Sequence, residues 1–289
     1  MKIAALNMVH RDHWALSRWY AHHAAHFGPE NLFIVAHGAD PLIQEICPKA
    51  SVLTIARDGF DDFDKKRGAV LDGIHAGLSA VYDWVVRTDA DELICYDPDQ
   101  YGSLAEAIIG DHGAPVVTAL GFDLVEMPGD ASIAEGPVFG QRRHIAFSGH
   151  YSKAVASRRA IDFSLHGVRV AARRLAGFPF EMPRGLFLAH LKYANTAALE
   201  DASKVRMQVG NSGGHGLPGA GWQAAEADSA AFKAAFADKP VLPWEKAETK
   251  AHATLSIKPA RLERHNVVKA RALKLPFRTQ IPPRFHGQG

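Results

Sequence analysis

Cysteine is nearly missing from this chain of 289 residues: Cys47 and Cys95 are the two present. Neither a disulfide framework nor a four-cysteine zinc site can be built from them. No apolar run reaches the ~18 residues that a membrane span needs. The opening stretch Met1–Val9 is apolar only briefly before His10-Arg11-Asp12, so it does not read as a signal peptide. A large excess of charge is missing too, the formal net being +2. Hydrophobic residues at 47% and charged residues at 22% are globular proportions, which removes disordered and fibrous classes. The expectation is a soluble intracellular protein of about two domains at ~150 residues each, or one large domain with a tail.

The small net charge hides an uneven distribution. From Lys250 onward nine Lys/Arg face Glu263 alone, a balance of +8, which leaves −6 on the first 249 residues. A basic segment of this kind suits an anionic surface. With Pro276, Pro282 and Pro283 in it, residues 241–289 read as a basic C-terminal extension. Residues 250–289 are expected to dock on the acidic body or on an anionic membrane face and to add little to the core. A cytoplasmic location, peripheral at the inner membrane face, follows as an expectation.

Short apolar runs and amphipathic stretches alternate over the first 120 residues. Strands are expected at Ile3–Val9, Asn31–Ala36, Ser51–Ala56, Trp84–Thr88 and Ala114–Leu120. Helices are expected at His13–His26, Pro41–Ile46 and Asp64–Val81, the last with Val70, Leu71, Ile74, Leu78 and Val81 on one face. This alternation predicts an α/β fold, a mostly parallel sheet flanked by helices. Residues 121–240 are more irregular. Lys153–Ser157 and Gly167–Ala172 read as strands, Thr196–Met207 and Ala224–Phe236 as helices, and Asn211–Gly221 as a flexible loop with five glycines. The expected division is one domain over 1–240, with halves 1–120 and 121–240, and then the extension.

The sharpest feature is Arg87-Thr88-Asp89-Ala90-Asp91-Glu92, directly after an apolar strand. Ligands of open α/β sheets sit beyond the carboxyl ends of the strands. Residues i and i+2 of an extended segment point the same way, so Asp89 and Asp91 present oxygens to one centre. Hard oxygen ligands suit Mg²⁺ or Mn²⁺, shared with substrate phosphates. A plain acidic turn is the simpler alternative. His166 and His190 both interrupt apolar surroundings, where a hydrogen-bonded core histidine is the commoner explanation and a metal ligand the alternative. His22 and His23 point about 100° apart on a helix, so one of them is expected to be packing or surface.

The segment Trp84-Val85-Val86-Arg87-Thr88-Asp89-Ala90-Asp91-Glu92-Leu93-Ile94 resembles the DxD strand of GT-A fold glycosyltransferases acting on nucleotide sugars. Trp19-Tyr20-Ala21-His22-His23 narrows the resemblance to a bacterial branch of the family 2-like group, which carries Trp-x-x-His-His on its first helix. Arg11 and Asp12 stand where that pattern has Asn-Glu, and Phe33–Asp40 ends in an Asp as the family's base-and-ribose loop does. The similarity covers about residues 1–195. It implies a metal-dependent transferase that moves a sugar from a nucleoside diphosphate-sugar to a glycan or other acceptor hydroxyl, with inversion, in surface polysaccharide or glycoconjugate synthesis.

The resemblance also implies roles. Asp91 becomes the principal Mn²⁺ or Mg²⁺ ligand, His190 a second one, and Asp89 a neighbour of the ribose or a ligand through water. Asp12, Asp40, Arg67, Lys153 and His166 become donor-binding residues, Arg67 beside phosphate or base and Lys153 beside the diphosphate. An inverting transfer needs a base, for which Asp123 is the first candidate and Glu126 the second, both read as lying after the fifth strand. A surface loop acid explains either equally well. A nucleotidyltransferase of related fold is the main alternative, but its glycine-rich phosphate loop is missing from Met8-Val9-His10-Arg11-Asp12. A haloacid dehalogenase-type phosphatase would carry Asp-x-Asp after its first strand. A non-enzymatic polyanion or membrane-surface binder would work through the basic extension. Nucleic acid is not an expected partner.

Overall fold

The computed structural model describes residues 1–110 and 112–289, the side chain at position 220 excepted. The first half runs β1 (Ile3–Val9), α1 (His13–Phe27), β2 (Leu32–His37), α2 (Pro41–Ile46), β3 (Ser51–Ile55), α3 (Phe63–Leu78), β4 (Trp84–Arg87), β5 (Glu92–Tyr96), α4 (Leu104–Ile109), β6 (Val116–Thr118) and β7 (Leu120–Val125). The second half runs β8 (His144–Phe147), β9 (Ala154–Ser157), β10 (Asp162–Ser164), β11 (Gly167–Arg169), β12 (Leu186–Tyr193), α5 (Thr196–Gly210), α6 (Ala220–Gln223), α7 (Ala225–Ala237), α8 (Trp244–Leu255), β13 (Ala260–Leu262), β14 (Val267–Lys269) and β15 (Thr279–Gln280).

Every residue of β1 is buried, as a strand covered on both faces requires. It lies inside a six-stranded sheet of order β3-β2-β1-β4-β9-β6. Strands β1 to β4 are parallel, and β9 is antiparallel to both β4 and β6. The chain winds from β1 to β3 on one side and then returns through α3 to β4 on the other. The strand order therefore reverses between β1 and β4, where such sheets open a ligand crevice at the carboxyl ends of their strands. Asp12 follows β1 there, and Asp89 and Asp91 follow β4. The α/β class and the placement of the acidic pair at the end of a strand are as expected.

Helix α1 buries Ala15, Leu16, Trp19, His22 and His23. Both histidines are inside because α1 packs on β1 and β2 and also on β5. The expectation that one of them is packing or surface is met by packing, and the other is buried as well. A second sheet, β15-β8-β7-β12-β5, stacks five strands, and a third has the order β10-β11-β14-β13. The expected strand Ala114–Leu120 is in fact two, β6 in the first sheet and β7 in the second, with Ala119 as the crossing point. An unbroken apolar run carries no mark of that change.

The C-terminal residues do not behave as an extended tail. Val267, Val268, Ala270, Leu275, Phe277, Ile281 and Phe285 are buried, and β14 and β15 pair with β11 and β8. Four arginines of the basic segment are turned to the protein itself. Arg284 makes two hydrogen bonds to Asp97, at 2.8 and 3.0 Å, while Arg261, Arg271 and Arg278 donate to backbone carbonyls. Phe285 is 1% exposed and packs on Trp244 and Phe187, with ring centroids 5.2 and 5.8 Å away. Phe285→Ala is accordingly expected to cost about 3–5 kcal/mol in urea denaturation; an unchanged midpoint would mean that the segment is dispensable to the core.

The stretch 211–221, expected to be flexible, is tied to the turn before α3: His215 N donates to Asp61 at 2.8 Å and Asp62 N to His215 O at 2.8 Å. Among the described residues no helix is long and apolar enough to cross a membrane.

Candidate active site

The acidic loop is held from behind by α1. Trp19 Nε1 donates to Thr88 Oγ1 at 2.8 Å, just before Asp89. One turn further on, His22 Nε2 donates to the carbonyl of Ile94 at 2.7 Å, just after Glu92. With its proton fixed on Nε2 and the ring buried, His22 stays neutral, its pKa pushed down to about 3 by burial. The Trp-x-x-His-His pattern thus clamps both flanks of the loop and does not face a ligand. Within the loop, Asp89 N donates to Glu92 Oε2 at 2.9 Å, so the buried Glu92 side chain shapes the turn that carries Asp89.

Asp89 and Asp91 face different partners, which corrects the expectation that both present oxygens to one centre: the chain is not extended between them but turns, Glu92 N donating to Asp89 O at 3.2 Å. Asp89 lies 3.2 Å from Lys153 Nζ and 3.4 Å from Arg67 Nη2. Lys153 above all, against burial, holds its carboxyl far below the usual range. Lys153 also reaches Glu92 Oε2 at 2.6 Å, inside the protein. Burial pushes the Glu92 carboxyl up to about 7 in spite of that neighbour. His166 caps the hairpin between β10 and β11 at a positive φ of 68°, and its Nδ1 donates to the carbonyl of His150 at 2.5 Å. Burial and Lys153 push its pKa down to about 3, so a neutral ring stands near Asp89.

Asp91 turns to the other side. Its Oδ2 lies 3.1 Å from Arg206 Nη2 on α5 and 3.5 Å from His190 Nε2 on β12. His190 Nδ1 is 2.7 Å from Asp123 Oδ1, so the imidazole bridges two carboxylates. Burial would lower its pKa, but the hydrogen bonds to Asp123 and Asp91 outweigh this and raise it to about 9. Burial likewise opposes ionisation of Asp91, and His190 with Arg206 overcomes it, drawing the carboxyl down to about 2. The Tyr151 ring stacks on His190 at 3.6 Å. A glycine makes this stacking possible. A Cβ at Gly121 would come within 2.1 Å of the Tyr151 backbone, so only glycine lets that loop lie against β7.

The remaining expected residues are more dispersed. Asp40 caps α2, accepting from Leu42 N at 3.2 Å, and lies 2.7 Å from His13 Nε2. Asp12 caps α1, accepting from Ala15 N at 3.4 Å. Burial, followed by the charge of Asp91, raises its pKa to about 6. Asp123 lies within β7 and not after a strand, and its carboxylate is engaged by His190. Glu126 accepts from Thr196 N at 2.7 Å, anchoring the start of α5, and lies 3.7 Å from the buried Arg142.

Among the described residues, no three His, Cys, Asp or Glu side chains converge as a closed metal site requires. Mg²⁺ and Mn²⁺ ask less of a protein, because one or two carboxylates plus substrate phosphates suffice. Asp91 has the oxygen donors for that role. His190 fits only if the ion displaces its shared proton, as metal binding to imidazole does.

Several residues carry no sequence signal. Arg206 comes from a helix 115 positions beyond Asp91. Arg57 lies over Phe60 and Phe63, at 4.9 and 5.5 Å, while His37 stacks on Phe63 at 5.6 Å. These four line the carboxyl ends of β2 and β3 beside Arg67. Burial and the charges of Arg67 and Arg11 draw the Arg57 pKa down to about 10, a concentration of positive charge that an anion would relieve.

No protein-family model matches the chain, and no curated protein does. Among solved structures, S. aureus TarS is similar over 73% of this chain and 39% of its own, with 12% identity and a TM-score of 0.35. CMP:2-keto-3-deoxy-manno-octonic acid synthetase complexed with CTP is similar over 72% of this chain and 99% of its own, at 12% identity and 0.33. Mannose-1-phosphate geranyltransferase from Thermus thermophilus is similar over 97% of this chain and 74% of its own, at 14% identity and 0.32. At these TM-scores and identities the likeness does not extend to function.

Proposed function

We propose that the protein is a GT-A-type glycosyltransferase that moves a sugar from a nucleoside diphosphate-sugar to an acceptor hydroxyl, with Mn²⁺ or Mg²⁺ held by Asp91. The observation that carries this reading is the pair Asp89 and Asp91 at the switch point between β1 and β4, flanked by Lys153 and Arg67. Breaking a glycosidic bond to phosphate loads negative charge on the leaving diphosphate. A fixed ammonium and guanidinium beside that charge stabilise the transition state more than the ground state. The metal, when bound, supplies further neutralisation of the same diphosphate. Glu92 and the Trp19 and His22 clamps hold the loop still, so the charges are placed before the donor arrives. The Phe63, His37 and Arg57 face suits a nucleobase, and Asp40 stands on the same side for the ribose.

The turn Val9-His10-Arg11-Asp12 has no glycine to let the backbone close on a triphosphate, which favours glycosyl over nucleotidyl transfer. The test is a thermal-shift screen of UDP-, GDP-, dTDP- and CMP-sugars with and without Mn²⁺. A ligand present at about 100 times its Kd adds about 2.7 kcal/mol, a shift of several degrees. At least one nucleotide sugar is expected to give that shift and to depend on Mn²⁺; no response to any of them would contradict the reading.

A further inference from the structure

We infer that the acceptor hydroxyl enters a hollow between the first turn of α1 and α5, and that Asp12 takes its proton. This rests on the glycosyl-transfer reading and adds to it a place and a base. The hollow is lined by Asp12, Trp14, Asp91, Leu191, Lys192 and Arg206, and has room for about one water-sized group. Its lining includes Asp91 but not Asp89, Lys153 or Arg67.

Hydrogen bonding points to a hydroxylated ligand. Trp14 Nε1 and Arg206 Nη1 are buried donors without a partner among the described residues. Asp12 accepts only one long bond there, 3.4 Å from Ala15 N. Orphaned buried polar groups are costly, and both of these belong to residues that line the hollow. A hydroxyl is the group that both donates to the Asp12 carboxylate and accepts from the Trp14 indole or the Arg206 guanidinium. The ligand class is therefore an acceptor bearing a hydroxyl. The two other carboxylates considered for the base are engaged, Asp123 by His190 and Glu126 by Thr196 N.

In the transfer, the acceptor O–H proton moves to the Asp12 carboxylate as the acceptor oxygen forms its bond to the anomeric carbon of the donor. The bond from that carbon to the phosphate oxygen breaks, and its electron pair stays on the departing nucleoside diphosphate. Asp12 then returns the proton to solvent.

Water, as the smallest acceptor, gives the test. Asp12→Asn and Asp12→Ser both keep a side chain that caps a helix N-terminus, so α1 and the melting temperature should be retained. Calorimetry with UDP, GDP or dTDP plus Mn²⁺ reads donor binding, and hydrolysis of the corresponding nucleotide sugar reads attack by water. Loss of a general base predicts hydrolysis at least ~10²-fold slower in both variants, with nucleotide affinity within about threefold of wild type. Hydrolysis at the wild-type rate would overturn the inference. So would a parallel loss of nucleotide affinity, which would put Asp12 in the donor subsite, or a wild type that binds nucleotide and leaves the donor intact. A wild type that binds no nucleoside diphosphate would instead refute glycosyl transfer itself.

Discussion

Above pH 7, where the Glu92 carboxyl beside it is ionised, Lys153→Met is expected to lower the unfolding free energy by about 3–5 kcal/mol, the usual cost of leaving one partner of a buried ion pair alone. Lys153 Nζ lies 2.6 Å from Glu92 Oε2 and 3.2 Å from Asp89 Oδ2. Glu92 is 1% exposed and Lys153 8%, so water does not replace the lost ammonium. Glu92 also accepts the Asp89 backbone N–H, which makes the pair a support of the acidic loop as well as of the core. Two consequences follow together. Urea denaturation should show the loss of stability, and nucleoside diphosphate should bind more weakly because a fixed positive charge beside Asp89 is gone. Adding Glu92→Gln should recover part of the stability, since the uncompensated carboxylate is removed, without restoring nucleotide affinity. Unchanged stability in Lys153→Met would show that Glu92 is simply a neutral buried acid.

The part of this site that is legible in the chain is the part built locally. Trp84–Arg87 is an apolar run and Asp89-Ala90-Asp91-Glu92 follows it at once, so a strand ending in carboxylates can be read without the fold. The next element, β5, cannot. Asp89 and Asp91 are turn residues, but no glycine or proline stands between them and Leu93-Ile94-Cys95-Tyr96, and the segment reads as a strand end with ligands before it reads as a turn into a second strand. Helical periodicity separates His22 from His23 by about 100°, so one of them reads as packing or surface. Only the packing of α1 on two sides shows both to be inside.

Partnerships across the chain are the least legible. Lys153 stands out weakly as a basic residue at the start of a strand, but nothing near it announces Glu92. Arg206 reads as an ordinary helix residue. Asp123 reads as a loop acid because its strand starts inside an apolar run that reads as part of the preceding one. The basic C-terminal residues mislead for a related reason: prolines and arginines dominate their composition, while Val267, Val268, Leu275, Phe277, Ile281 and Phe285 enter the core at irregular spacings that no helix or strand period picks out.

Asp91→Asn carries the second large effect. Asparagine keeps the volume and one acceptor oxygen, so Arg206 and His190 retain a hydrogen-bond partner and the fold should persist. What disappears is the charge. Asp91 holds that charge firmly, its carboxyl drawn down to about 2 by His190 and Arg206 against the opposing effect of burial. A divalent ion bound there brings its positive charge to the diphosphate, so removing its anchor should weaken metal-dependent binding and slow turnover by at least ~10²-fold, the scale of a main electrostatic stabiliser. A structural role alone would lower stability and leave the Mn²⁺ dependence of nucleotide binding as it was.

The most direct measurement of the central claim is calorimetric titration of UDP, GDP and dTDP into the wild type and Asp91→Asn, each with and without Mn²⁺. The wild type should bind at least one of the three with an affinity that rises on adding Mn²⁺, and Asp91→Asn should lose that rise while keeping its melting temperature. Equal Mn²⁺-dependent affinity in both proteins, or no binding to the wild type, would contradict the assignment of Asp91 and the transferase reading built on it.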